Sequence, residues 1–259
     1  MRTIKILIFL ILLSTPVFSQ VVPQANPYIK MFYGARAEQI NDSTTSYFDA
    51  GAEVNLELKY RNFTFDILSR SAMSFVSGGD SAVGYLGALD VRFSYFIPKK
   101  FEPFFASFNE FDSLYNANVM GYTGVGVRVH VLKTKNFMMY GDAGTMFQYE
   151  DYTKEFANRE KKNYTFAYYL SGAVSYSFLK KLKIGSTMRL IPVFSFNEVR
   201  FGADVWLISE LFRKKDKLFF GREVVAEYEL KIGIDTLSID DNNYNRTRYS
   251  CASAFRIRF

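Results

Sequence analysis

The chain has 259 residues, 49% hydrophobic and 18% aromatic, with 27 Phe and 18 Tyr, a mean hydropathy of −0.05 and a formal charge of +6. After position 20 no apolar run reaches about 18 residues, which excludes a helical membrane protein. A single cysteine excludes an intramolecular disulfide scaffold, and the mild, evenly spread positive charge gives no reason to expect a nucleic-acid partner.

Residues 1–19 read as a cleaved export signal. Arg2 and Lys5 precede the apolar stretch Ile6 to Leu13, Ser14-Thr15-Pro16 breaks it, and Val17-Phe18-Ser19 offers a cleavage point after Ser19. Losing Arg2 and Lys5 takes the formal charge from +6 to +4. No cysteine stands at the cleavage point, so a lipoprotein anchor is not expected. Residues 20–259 are expected to form a single β-domain.

Tyr28 to Ile40 predicts the first strand, and Asn41 to Ser46 a polar loop. The second strand alternates cleanly: Phe48, Ala50, Ala52, Val54, Leu56, Leu58 and Tyr60 share one face, and Asp49, Glu53, Asn55, Glu57 and Lys59 the other. Arg61-Asn62 is a tight turn. The third strand sets Phe63, Phe65, Ile67, Met73 and Phe75 against Asp66 and Arg70. The fourth, after the turn Ser77 to Ser81, sets Tyr85, Leu89, Val91 and Phe93 against Asp90 and Arg92. Phe101 to Phe111 is aromatic on both faces, so its orientation is not readable.

A loop is expected around Asp112 to Asn118. Val125, Val127, Val129 and Val131 then mark the sixth strand, with Arg128 and His130 behind them. Strand seven carries Asp142, Gln148 and Glu150 on its even side, and a charged loop is expected over 151–163. Strand eight places Tyr164, Phe166, Tyr168, Leu170, Tyr176 and Phe178 together. Leu182 to Pro192, holding Arg189, is the ninth strand. The tenth opposes Val199, Phe201, Val205 and Leu207 to Glu198, Arg200 and Asp204. Arg213 to Asp216 predicts a turn and Leu218 to Ile232 the eleventh strand, with Glu223, Glu227, Glu229 and Lys231 on its polar side. In that register Arg222 points outward, unless a bulge at Phe219-Phe220 turns it. An acidic, Asn-rich loop is expected over 233–245. The closing strand alternates Tyr249, Cys251, Phe255, Ile257 and Phe259 with Arg246, Arg248, Arg256 and Arg258.

Twelve strands are an even number, as single-chain bacterial barrels require. Connections after the even strands are short and mostly basic, and those after the odd strands are polar and on average longer. This asymmetry predicts periplasmic termini. Aromatics near strand ends, such as Phe48 and Tyr60, suit interfacial girdles, and a greasy face running to the last residue suits a closed barrel better than a free edge. A soluble barrel would alternate in the same way with its apolar face inside. The expectation is therefore an all-β fold, a twelve-stranded antiparallel transmembrane β-barrel of the bacterial outer membrane. Its exterior meets lipid, and its C-terminal strand is recognised by the barrel-assembly machinery through Phe259.

The run Phe104-Phe105-Ala106-Ser107-Phe108-Asn109-Glu110-Phe111-Asp112-Ser113-Leu114, then Gly121-Tyr122-Thr123-Gly124-Val125-Gly126-Val127, Gly141-Asp142-Ala143-Gly144 and Gln148-Tyr149-Glu150-Asp151-Tyr152, resembles the salt-induced outer-membrane protein family. The likeness covers about 160 C-terminal residues. It implies a barrel of unassigned molecular function, with no catalytic residues to carry over.

Lipid-acting outer-membrane enzymes need a Ser and a His within hydrogen-bond reach. The one histidine, His130, shares the polar face with Arg128 and reads as a hydrogen-bonded lumen residue. One His and one Cys make a zinc site unexpected. The acids of Asp235 to Asp241 lack calcium-loop spacing and read as a solvated loop. Gly121, Gly124 and Gly126 make room beside aromatics. Near balance among the polar-face charges predicts cross-strand ion pairs, and twelve strands leave a narrow passage at most. The expected role is non-enzymatic, with no cofactor: structural, or a narrow small-solute conduit. The alternatives are a surface interaction protein using the loops 151–163 and 233–245, and a lipid-acting enzyme.

Overall fold

β-branched and aromatic residues in strict alternation suit an extended chain with one apolar face, and the protein realises them as twelve strands. They are β1 (Gln24–Ile40), β2 (Ser43–Tyr60), β3 (Phe63–Val76), β4 (Val83–Tyr95), β5 (Phe101–Asp112), β6 (Ala117–Lys133), β7 (Phe137–Tyr152), β8 (Lys162–Leu179), β9 (Leu182–Pro192), β10 (Glu198–Lys215), β11 (Glu223–Ile239) and β12 (Tyr244–Arg258). The computed structural model describes residues 24–76, 83–97, 101–113, 117–152, 162–179, 181–195, 197–215, 223–239 and 244–259. The predicted signal segment 1–19, the bulge at Phe219-Phe220 and Arg222 lie outside the described residues, as does most of the 151–163 loop.

Each strand pairs antiparallel with its chain neighbour, and β1 pairs with β12 from Tyr28↔Arg258 to Ile40↔Arg246. The ring is closed, so none of the strands is an edge strand. Pairing in register keeps like faces together. Outward stand residues such as Met31, Tyr33, Phe105, Val125, Tyr164, Leu170, Met188, Val205 and Ile232, all exposed although apolar. Inward stand the charged and small residues, many of them buried. A soluble barrel would show the reverse, so the apolar side is the one offered to a surrounding medium.

Aromatic side chains gather towards both rims of this exterior. Near the termini Phe63 contacts Phe93 and Tyr95, and Tyr176 contacts Phe137 and Phe178. At the far end Phe147 contacts Tyr164 and Phe166, and Phe194 stacks on Tyr168 at 4.4 Å. Strands of 11 to 18 residues exceed the 9–11 that a tilted crossing needs, so they project beyond the apolar band.

Several boundaries differ from the sequence expectation. The loop expected over 41–46 is a two-residue turn, Asn41-Asp42. Asn41 takes a left-handed φ of 49° that asparagine tolerates, and its Oδ1 accepts from the Asn245 amide at 3.0 Å. The loop expected over 233–245 is largely ladder, because β11 runs on to Ile239 and β12 starts at Tyr244. Asp235 is not a solvated loop residue, since it faces inward and is held by arginines, while 240–243 lie outside the described residues. Arg213 to Lys215, expected as a turn, extend β10 past a bulge between Glu210 and Phe212, where Arg213 pairs with Glu210 at 2.6 Å and with Glu223 at 2.9 Å. Around 112–118, Asp112 closes β5 and Ala117 already opens β6.

Candidate functional site

The interior of the barrel is the only place where the described residues concentrate charge. Its residues come from alternate positions on every strand, and the alternation that sends Val and Phe outward forces their neighbours in. Three clusters organise it.

Near the termini, Glu53 of β2 is almost fully buried and meets Lys30 at 3.0 Å, Arg70 at 2.8 Å and the Tyr28 hydroxyl at 2.7 Å. Lys30 also reaches Glu229 at 3.5 Å. Arg256 bridges Glu227 and Glu229 with its guanidinium over the Tyr28 ring, and Arg258 adds Glu227 at 3.2 Å. The second cluster centres on Asp142 of β7, which takes Arg128 at 2.7 Å and Arg92 of β4 at 3.2 Å. Beside it Glu102 of β5 meets His130 at 2.9 Å.

The third cluster fills the far half. Arg36 meets Asp49 at 2.9 Å, and Glu38 is approached by Arg246 and Arg248 at 3.7 and 3.4 Å. Asp235 is shared by Arg189, Arg200 and Arg246 at 3.5 to 3.7 Å. Two contacts here cross the lumen. Glu110 of β5 meets Arg200 of β10 at 2.7 Å, and Asp112 of β5 meets Arg248 of β12 at 3.2 Å. Those strands lie nearly opposite one another in the ring.

β5 divides the interior. Its even residues point inward, which decides the orientation that its aromatic sequence hid. Phe104, Ala106 and Phe108 pack against Tyr122, Met146, Tyr169 and Ile191 on β6 to β9, with Phe108 stacked on Tyr169 at 5.6 Å. At that level this half of the lumen is an apolar fill, lying between the Asp142 cluster on one side and Gln148 and Glu150 on the other. The other half, between β1 to β5 and β11 to β12, keeps a cavity of about 220 Å³ walled by small residues such as Gly34, Ala72, Ala88 and Ala252. Into it open Arg70 and Glu110, whose side chains stay 43% and 32% accessible although both lie inside the ring.

All the predicted polar-face residues with described side chains sit on the inner side or its rim. Glu57 pairs with Lys59 at 2.8 Å, Asp66 accepts from Asn55 at 2.7 Å, Asp204 pairs with Lys231 at 3.0 Å, and Asp90 lies among the inward positions of β4. Glu223 stands exposed at the mouth. Most of the ion pairs are cross-strand, a few such as Glu57–Lys59 lie within one strand, and two cross the lumen. Sequence reading did not place Lys30, Arg36, Glu38, Glu102, Glu110 and Asp112 in the network. Even spacing of charge, at 30, 36 and 38 on β1 and at 102, 110 and 112 on β5, was the available signal.

His130 does not form a nucleophile–base pair. Its Nε2 faces Glu102, and Ser94 hydrogen-bonds the same carboxylate, so the acid rather than the histidine stands in the middle. A serine nucleophile needs the imidazole between itself and the acid. No group of three metal-ligating side chains occurs among the described residues.

Neither protein-family models nor curated sequences match the chain. Solved structures do. The translocator domain of the autotransporter NalP from Neisseria meningitidis aligns with a TM-score of 0.54 and 8% identity, covering 98% of this chain and 96% of that one. An outer-membrane channel from Pseudomonas putida F1 also reaches 0.54, at 10% identity, with 92% and 96% covered. The fold is that of a bacterial outer-membrane β-barrel. At such identities the likeness is one of architecture, and the barrel's own lumen must carry any statement about its role.

Proposed function

We propose that this barrel sits in the bacterial outer membrane with both termini periplasmic and serves as a narrow conduit for small hydrated solutes. The observation that carries this reading is the 220 Å³ cavity in the charged half of the lumen. An enclosed interior kept only for stability would be packed, as the β5 to β9 half is. For scale, an engineered cavity of about 150 Å³ holds benzene, so the solutes that fit are of about a sugar ring's size. The Pseudomonas putida channel shows that the same architecture is compatible with passage. His130, held by Glu102 and turned away from the exterior, supports a non-enzymatic role.

The alternative of a surface interaction protein loses much of its basis, since 233–245 is mostly strand. Phe259 continues the outward side of β12, with its amide bonded to the Pro27 carbonyl at 3.0 Å, and is the residue by which the assembly machinery would recognise the chain. The likeness of the C-terminal part to the salt-induced outer-membrane proteins belongs to the same proposal.

The test is functional reconstitution. Refolded protein that runs differently on a detergent gel before and after heating is placed in planar bilayers and in liposomes. Small conductance steps, and swelling in pentoses but not in trisaccharides, are expected. A folded, inserted barrel giving neither steps nor swelling defeats the conduit reading.

A further inference from the structure

We infer that β5 forms the constriction of this conduit, and that Glu110 and Asp112 with Arg200 and Arg248 set both its width and its charge selectivity. The inference rests on the conduit reading above.

Most ion pairs in the interior join neighbouring strands or strands two or three apart, where they brace the wall. The pairs Glu110–Arg200 and Asp112–Arg248 differ, because each spans the ring. A solute moving along the axis must pass between their partners or part them. β5 is placed for this. Its lower inward residues, Phe104 to Phe108, are packed into the apolar half and fix the strand, while the register against β6 shifts between Glu110 and Asp112. The two successive inward carboxylates reach different strands, β10 and β12. The cavity lies directly against both acids, which appear among its lining residues, so the barrier borders open space and is not part of a filled core.

The charge count at this level decides selectivity. Glu110, Asp112, Glu38, Asp49 and Asp235 face Arg200, Arg248, Arg246, Arg189 and Arg36, five against five. A balanced ring in a low-dielectric interior favours neither ion strongly, and removing one sign leaves the other to dominate. Neutralising the two acids leaves two net positive charges. Neutralising Arg200 and Arg248 leaves two net negative charges.

Mirror-image variants provide the experiment. Glu110→Gln with Asp112→Asn, and separately Arg200→Gln with Arg248→Gln, are refolded, checked for the heat-dependent gel shift, and measured in planar bilayers under a potassium chloride gradient. Both should raise single-channel conductance several-fold over the unaltered chain. Their reversal potentials should move in opposite directions, towards chloride for the first and towards potassium for the second. A merely structural role would loosen both variants alike and could not produce opposite signs. Because loss of one partner strands a buried charge and risks misfolding, a third variant exchanges the pair, Glu110→Arg with Arg200→Glu, and should return conductance and selectivity to the original values. Folded variants with unchanged conductance and reversal potential, or with shifts of the same sign, overturn the inference and leave the conduit standing. Folded variants that never conduct overturn both.

Discussion

Trp206 of β10 lies over Gly185, its register partner on β9, so closely that a Cβ at position 185 would stand 2.2 Å from the indole Cζ2. The ring takes the space a side chain would need, which is why a glycine interrupts the strand there. Gly185→Ala should cost about 1–3 kcal/mol, the range for an overpacked interior. The measurement is the guanidinium midpoint of the refolded barrel, and an unshifted midpoint would mean that the indole is not seated on Gly185.

Trp206 is also the chain's one tryptophan and occupies an inward position. Its emission should be quenched by acrylamide and only weakly by brominated lipid. Moving the fluorophore one residue, with Trp206→Phe and Leu207→Trp, should reverse that preference. Equal quenching of the two proteins by brominated lipid would contradict the assignment of faces.

The exterior can be tested directly at Val125, an exposed position in the middle of β6. Val125→Arg should destabilise the barrel in bilayers by about 2–4 kcal/mol, the cost of a cation near the membrane midplane. If folding titrations in lipid vesicles show no loss, this face does not meet hydrocarbon.

Two ion pairs of similar length should differ sharply in value. Glu53 is buried with Lys30 and Arg70 against it, so Glu53→Ala takes the paired carboxylate from Arg70, leaves Lys30 only its longer contact to Glu229, and should cost about 3–5 kcal/mol. Arg213 bridges Glu210 and Glu223 at the open rim, and Arg213→Ala should cost under about 1 kcal/mol. Comparable midpoints for the two variants would refute the burial argument.

Arg61 turns the chain between β2 and β3 at a φ of 53°. A left-handed backbone costs a side-chain-bearing residue about 1–2 kcal/mol, and asparagine tolerates it best. Arg61→Asn should therefore raise the temperature at which the heat-dependent gel shift occurs, and a lowered one would show that Arg61 contributes more through its side chain than its backbone costs.

The inside and the outside of most strands are legible in the sequence. β2 illustrates why: Phe48 to Tyr60 alternates with Asp49 to Lys59 without interruption, and a period of two maps directly onto two faces. β5 illustrates the limit. Phe104, Phe105, Phe108 and Phe111 put large apolar groups on both faces, because one face meets the exterior and the other an apolar fill. The segment 233–245 failed for a different reason. Asp235 looks solvated on its own, but an interior full of charge is a place where polar residues remain in strands.

By itself the sequence determined a twelve-stranded closed barrel with its ionised side chains turned in, since alternation is local and every strand carries it independently. Only the tertiary structure decided which charges meet. Glu110 and Arg200 are 90 residues apart and share no ladder, and their contact follows from ring closure and from the way β5 packs against β6 to β9. Contacts across a lumen depend on curvature and filling, which no stretch of neighbouring residues encodes.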